Sequence, residues 1–465
     1  ELTEFGTFSG SFDIAPDAAL GSYYLSVSLP SDDEYYSESG GISFLVAEYR
    51  LPEYQVEMTA ITPEIVQGDT GIVELEGSYF FGGAVADADV TYTVTSTPYD
   101  FDYQGDGNYD FSDDNYDNYD YLYYDSYGEF VTEGRMTTDV NGTAMIDVVG
   151  TLEDVNQSQI FTVEAGLQDE AGQIIYTSSR VIVHQGLLYV GARAENYVGT
   201  ANEENAANII VVDWDSQPIA NKSIDVEVVE RRWSSVQEQD PNTGETTWVW
   251  DVEEIPVTTG TIVTNDEGKA QFAYTPSNGG TYKVKVSTRD SNGTDVTSST
   301  FAWVSDRDYV SWRQDNDQTI DLVPEQTAYS VGDTAKVLIP SPFQGTSEAL
   351  ITIERGGVMS VDHVTMESNS MIYEFEVLPE HAPNIYVSVF IVKAVDDTNL
   401  VASYRMGLTS LSVSIEQKEL TIDISADREQ ASPQETVQYT LTVTDYAGNP
   451  VVAEVGVGVT DLATL

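Results

Sequence analysis

A chain of 465 residues exceeds one hydrophobic core, and length alone suggests about three or four domains. Its 78 acidic against 19 basic residues give a net charge of −59, which repels nucleic acid and anionic membrane surfaces, both gripped through Lys and Arg. The absence of cysteine excludes a disulfide framework, a thiolate metal site and a cysteine nucleophile.

Helical periodicity is almost absent, and alternation of apolar and polar residues dominates. In chain order, the first such strand is Tyr23-Tyr24-Leu25-Ser26-Val27-Ser28-Leu29, and residues 44–52 run from a strand into a connector. Val90-Thr91-Tyr92-Thr93-Val94 follows, then an Asp, Tyr, Asn and Gly-rich insertion at 99–130, then a strand over 130–136. The turn Asn141-Gly142 precedes a further strand, and residues 183–187 form a junction. Ile224-Asp225-Val226-Glu227-Val228 and Tyr282-Lys283-Val284-Lys285-Val286 alternate again, with turns at Gly279-Gly280 and Asn292-Gly293. Further junctions fall at 302–310 and 408–413. No window reaches the roughly 18 apolar residues of a membrane span. The opening Glu1-Leu2-Thr3-Glu4 is neither basic nor apolar, so the expectation is a stretch of a longer polypeptide.

The chain also repeats itself. Residues 63–94, 324–356 and 427–459 each carry a short Gly-Asp or Pro-Gln-Glu turn, a strand, a second turn and a return strand; residues 207–229 fit the second half of that unit. Residues 137–148 (TTDVNGTAMIDV) parallel residues 263–274 (VTNDEGKAQFAY). A repeat of roughly 100 residues predicts an array of similar domains. The fold class is all-β: tandem sandwiches of fibronectin or immunoglobulin type.

Four stretches carry a resemblance. Residues 3–29 hold a Phe-Gly-x-Phe-x-Gly-x-Phe strand, then Pro16, then Leu20-Gly21-Ser22-Tyr23. Residues 44–58 contain Val46-Ala47-Glu48-Tyr49 before Pro52. Residues 77–94 resemble a Tyr-x-x-Gly-x-Pro-Val strand pair, with Ala84 where Pro is usual. Residues 449–465 resemble a strand ending Val-Val-Asp-x-x-Leu-Leu, with Thr460-Asp461-Leu462 in its place. In this order they resemble the macroglobulin-like domains, second to sixth, of bacterial alpha-2-macroglobulins. The resemblance implies a partial second domain at 1–46, a third at 47–186 with the insertion 99–130, a fourth at 187–306, a fifth at 307–412 and a partial sixth at 413–465. It also implies a broad-spectrum protease inhibitor, not an enzyme, in which a protease cuts a bait segment and is trapped. On that reading the bait follows Leu465, the Cys-x-x-Gln thioester lies further on, and this stretch is scaffold. Proteases would be met through regions outside this chain. The location would be extracellular, at the cell surface or periplasmic, and a lipid anchor would belong elsewhere in the parent. A structural or adhesive surface array of sandwiches, self-associating or not, is the alternative, because such arrays serve both roles.

Within the insertion, Asp102, Gln104, Asp106, Asn108, Asp110 and Asp113, with Gly107 at loop position 6, follow the spacing of a calcium loop. The match is partial: Gln104 is a poor ligand, Asp113 is shorter than the usual Glu, and the flanks are not helical. A solvated acidic loop or a protein-binding surface accounts for the same residues. No other cofactor is implied. His184, His363 and His381 have no metal-ligand neighbour at motif spacing. Trp233, Trp248, Trp250, Trp303 and Trp312 raise the alternative of sugar stacking, but Trp233, Trp248 and Trp250 flank a hairpin turning at 240–244 and read as cross-strand aromatic pairs. Asn141, Asn156, Asn221 and Asn292 open Asn-x-Ser/Thr sequons.

Overall fold

The computed structural model describes residues 21–28, 39–46, 54–113, 128–152, 157–169, 172–239, 246–313, 317–428 and 435–458. The first hairpin joins β1 (Gly21–Ser28) to β2 (Ser39–Val46), Tyr23 opposite Phe44. A first sandwich contains β3 (Tyr54–Ala60), β4 (Glu64–Val66), β5 (Thr70–Tyr79), β6 (Asp89–Pro98), β7 (Glu129–Thr137), β8 (Thr143–Val149), β9 (Gln159–Gln168) and β10 (Ile174–His184). The second contains β11 (Tyr189–Ala194), β12 (Val198–Thr200), β13 (Asn205–Val212), β14 (Ser223–Gln239), β15 (Thr246–Val263), β16 (Lys269–Tyr274), β17 (Gly280–Arg289) and β18 (Asp295–Ser305). The third contains β19 (Val323–Pro324), β20 (Ala328–Tyr329), β21 (Thr334–Pro340), β22 (Ser347–Glu354), β23 (Val358–Met366), β24 (Ser370–Glu376), β25 (Asn384–Lys393) and β26 (Ser403–Val413). A last hairpin pairs β27 (Leu420–Ala426) with β28 (Tyr439–Asp445).

The three sandwiches share one topology. Strands one, three and six of each form a three-stranded sheet: β3-β5-β8, β11-β13-β16 and β19-β21-β24. Strands two, eight, seven, four and five form the facing sheet: β4-β10-β9-β6-β7, β12-β18-β17-β14-β15 and β20-β26-β25-β22-β23. In every copy the short second strand runs parallel to the last: β4 with β10, β12 with β18, β20 with β26. Alternation decides what lies between the sheets. Val73 and Leu75 of β5, Ile146 and Val148 of β8 and Val163 and Leu167 of β9 point inward, while Glu74, Glu76 and Asp147 between them do not. The second core gathers Ile209, Val211, Ile224, Val226, Val284 and Val286; the third gathers Val337, Ile339, Ile351, Val387, Val389 and Ile391. Each such side chain contributes about 1.5–3 kcal/mol when fully buried.

The turns are built alike. Asp139 Oδ1 accepts the backbone N–H of Asn141 at 2.8 Å and of Thr143 at 2.9 Å. Asn265 does the same for Glu267 and Lys269, Asp213 for Asp215 and Gln217, Asp290 for Asn292 and Thr294, and Asp445 for Ala447 and Asn449. The fourth residue of each turn has positive φ: Gly142, Gly268, Ser216, Gly293 and Gly448. Among the sequon residues, Asn141 and Asn292 are exposed within such turns and Asn221 is exposed just before β14; Asn156 lies outside the described residues.

Two compact units result, residues 56–78 with 82–415, which hold most of the three sandwiches, and residues 1–55, 79–81 and 416–465.

Candidate functional site: an insertion that clasps two sandwiches

The insertion leaves the first sandwich between β6 and β7, which pair with Ser96 opposite Glu129. Its first half, residues 99–113, lies on the second sandwich. Residues 114–127 are outside the described residues.

Aromatic packing comes first. Phe101 stacks on Tyr189 at 4.0 Å, and Phe111 meets Phe101 and Tyr189 edge-on at 5.0 and 6.1 Å. With Tyr99, Tyr103, Tyr109 and Trp214 they cover Tyr189, Ile210 and Val212 of β11 and β13. Such pairs are worth about 0.5–1.5 kcal/mol each beyond their buried area. The backbone adds to both sheets. Asp110 exchanges two hydrogen bonds with Ala192 of β11, at 2.8 and 3.0 Å, and the Ser112 carbonyl accepts the N–H of Ser299 on β18 at 3.0 Å. The segment thus bridges the open edges of the second sandwich as an added strand does.

Charge closes the clasp. Asp113, turned into the contact, lies 2.8 Å from Lys283 Nζ and 3.4 Å from Lys285 Nζ. Burial opposes its charge, but hydrogen bonds from Lys283 and Ser299 and the two ammonium charges outweigh that and hold its carboxyl below the usual range. Arg193 sits over the Tyr109 ring at 5.4 Å. The backbone N–H of Gln104 donates to Ser216 Oγ at 3.1 Å. Among the five Asx turns, Ser216 is the one fourth-position residue that is not glycine, and it serves the contact.

Beside the clasp the two sandwiches meet at a buried histidine. Tyr189 donates its hydroxyl hydrogen to Ser158 Oγ at 3.0 Å and accepts the Nδ1–H of His184 at 2.6 Å. Trp214 stacks on His184 at 3.9 Å and donates to the Gly186 carbonyl at 2.9 Å. The N–H of Leu187 donates to Asp290 Oδ2 at 3.0 Å. Burial pushes the His184 imidazole down to about 4.

The six calcium-loop residues can now be placed. Asp102, Gln104, Asp106, Asn108 and Asp110 are exposed, while Asp113 is committed to Lys283 and Lys285. The Gln104 amide donates to the Asp102 carbonyl at 3.1 Å. Among the described residues no three His, Asp or Glu side chains converge as a metal ion would require. The tryptophans also differ from expectation. In the β14–β15 ribbon Trp233 faces Val252, Trp248 faces Gln237 and Trp250 faces Ser235, so no two tryptophans are directly opposed. Trp233 instead takes Arg231 and Arg313 over its ring, at 5.3 and 5.6 Å. Trp303 and Trp312 stack at 5.8 Å where the second sandwich meets the third. Trp312 is 2% exposed, which leaves no face for a sugar. Asn369 locks that joint, accepting the Val310 N–H at 2.9 Å and donating to the Val310 and Ser341 carbonyls at 2.7 and 2.8 Å. His363 and His381 lie apart from the clasp, in the third sandwich; His363 approaches Glu348 at 3.2 Å.

Sequence reasoning singled out the insertion but not its receptor. Gly191, Lys283, Lys285 and Ser299 look like ordinary strand residues, and the adjacent lysines of an acidic chain are the only signal they leave.

Comparison with known proteins places this geometry. The family model described as bacterial macroglobulin domain 6 matches residues 191–305, the second sandwich, which the resemblance counts as the fourth domain. The model described as alpha-2-macroglobulin bait region domain matches residues 320–465, so the match to that domain begins within this chain and not after Leu465, where the resemblance had put the bait. The chain is 22% identical to an alpha-2-macroglobulin homolog of Nostoc sp., over 99% of this chain and 24% of that protein. It is 36% identical over 98 residues to the alpha-2-macroglobulin of Thermotoga maritima, covering 21% of this chain and 6% of that one. The native conformation of E. coli alpha-2-macroglobulin aligns with 93% of this chain and 27% of its own, at 14% identity and a TM-score of 0.46. The chain therefore spans about a quarter of the length of the Nostoc relative.

Proposed function

We propose that this chain, which resembles bacterial alpha-2-macroglobulins, is the scaffold of a protease inhibitor that traps its target after bait cleavage. The observation that carries the reading is the order of the two family matches, a macroglobulin domain followed by a bait region domain, along sandwiches of identical topology. The joints support it. The aromatic clasp between the first two sandwiches and the Asn369–Trp312 lock between the next two hold three domains as one body. A trap needs a frame of this kind, against which a cut segment can release a rearrangement. On this reading the role of the chain is mechanical. The protease partner and an extracellular, cell-surface or periplasmic location belong to the same proposal.

The test uses the full-length parent polypeptide, exposed briefly to several unrelated proteases. Every protease is expected to cut first in one zone C-terminal to the third sandwich, with compaction of the folded particle by sedimentation. A parent that resists cleavage, or is nicked first at 99–130 without compaction, would sink the inhibitor reading and favour a structural array.

A further inference from the structure

We infer that the crevice of the second sandwich between β11 and β18 is an extended-peptide site, filled in cis by the first sandwich's insertion and able to take the same aromatic–acidic sequence supplied as a separate peptide. Three independent features carry this. The first is an unpaired backbone. β12 pairs with β18 only over Trp303–Ser305, so the N–H of Ser299 further along that edge is free to bond the Ser112 carbonyl, while Ala192 offers both its groups to Asp110. Extended segments are recognised through such edges in many protein–peptide contacts.

The second is a cradle shaped for one ring. Gly191 lies under Phe111, and a Cβ there would come within 2.5 Å of the ring. Phe101 finds a matching face on Tyr189, stacked at 4.0 Å. The third is charge. Lys283 and Lys285 stand on one strand of a chain with only 19 basic residues, and both reach Asp113. The ligand is therefore an extended peptide reading Tyr-Asp-Phe-Ser-Asp, as residues 109–113 do: its ring enters the Gly191 cradle and its last carboxylate meets the two ammonium groups. None of these contacts depends on the ligand being continuous with the first sandwich.

The test replaces residues 99–113 of the whole chain with a Gly-Ser linker of equal length and titrates it with a labelled synthetic peptide of residues 99–113, followed by fluorescence anisotropy. Saturable binding is expected for the linker chain, at least tenfold weaker binding for the intact chain, and loss of binding when Gly191→Val or Lys283→Glu is added to the linker chain. A folded linker chain that does not bind the peptide overturns the inference. Should the linker chain not fold, charge exchange in the intact chain decides. Asp113→Lys and Lys283→Glu alone should each lower the melting temperature, and the double variant should recover most of the loss. A double variant no better than the two losses summed would overturn the inference equally.

Discussion

His184 is held neutral by its surroundings. It is 1% exposed, flanked by Trp214 and Tyr99, and bonded through Nδ1 to Tyr189. Its Nε2 lies 4.0 Å from Glu64 Oε1, a half-exposed carboxylate beyond hydrogen-bonding distance, so burial dominates and lowers the imidazole from 6.5 to about 4. Above pH 6.5 folded and unfolded chains both carry a neutral ring, and the group leaves stability unchanged. Between pH 6.5 and 4 the unfolded chain takes up a proton that the folded chain refuses, so stability falls with falling pH, by roughly 3 kcal/mol in all. Below pH 4 the loss levels off. His184→Phe keeps a ring for Trp214 and removes the titration. The difference in unfolding free energy between the two chains should therefore slope between pH 4 and 6.5 and be flat above. Parallel curves through that window would refute the assignment. Asp113 works in the same sense in a more acid window: its depressed carboxyl stabilises the fold above the ordinary carboxylate range, and that contribution is lost as pH falls through its lowered folded value.

Among the elements, the Asx turns separate two costs that one substitution usually mixes. Gly142 and Gly293 occupy the same place in the same turn, at φ 79° and 85°. A Cβ on Gly293 meets nothing within 4 Å, whereas one on Gly142 comes 2.4 Å from the Gly77 carbonyl. Gly293→Ala should cost about 1–2 kcal/mol, the backbone penalty alone. Gly142→Ala should cost measurably more in chemical denaturation, because the strand end at Gly77 must move; equal losses would show that it yields freely. These turns were legible in the sequence: DVNGT, NDEGK and DSNGT carry the capping side chain and the glycine in plain order. Strand alternation was equally legible, since burial follows a period of two wherever one face meets a core. What local pattern could not give was the ribbon's aromatic partners. Trp233 is served by Arg313, eighty positions away, across the joint to the third sandwich.

Over the whole molecule the same limit applies to the clasp. Its acidic, tyrosine-rich composition marked the insertion as distinct, and the spacing of its carboxylates suggested a cation. Neither revealed that Asp113 would find Lys283, because that contact depends on how one sandwich is set against the next. The chain's repetition, by contrast, was visible before the fold, and it recurs as three copies of one strand order. In each copy the parallel pair joins the strand near the chain's entry to the strand at its exit: β4 to β10, β12 to β18, β20 to β26. Tension drawn through the three sandwiches would pull the two members of each pair in opposite directions along their own axes. Their hydrogen bonds then share the load in shear and cannot open one after another like a zip. Single-molecule pulling should give high rupture forces with three similar peaks, and disrupting only β4, by Ile65→Pro, should lower one of them and leave the others in place. The weak points under load would then lie outside the sandwiches, in the connections that lack such a pair.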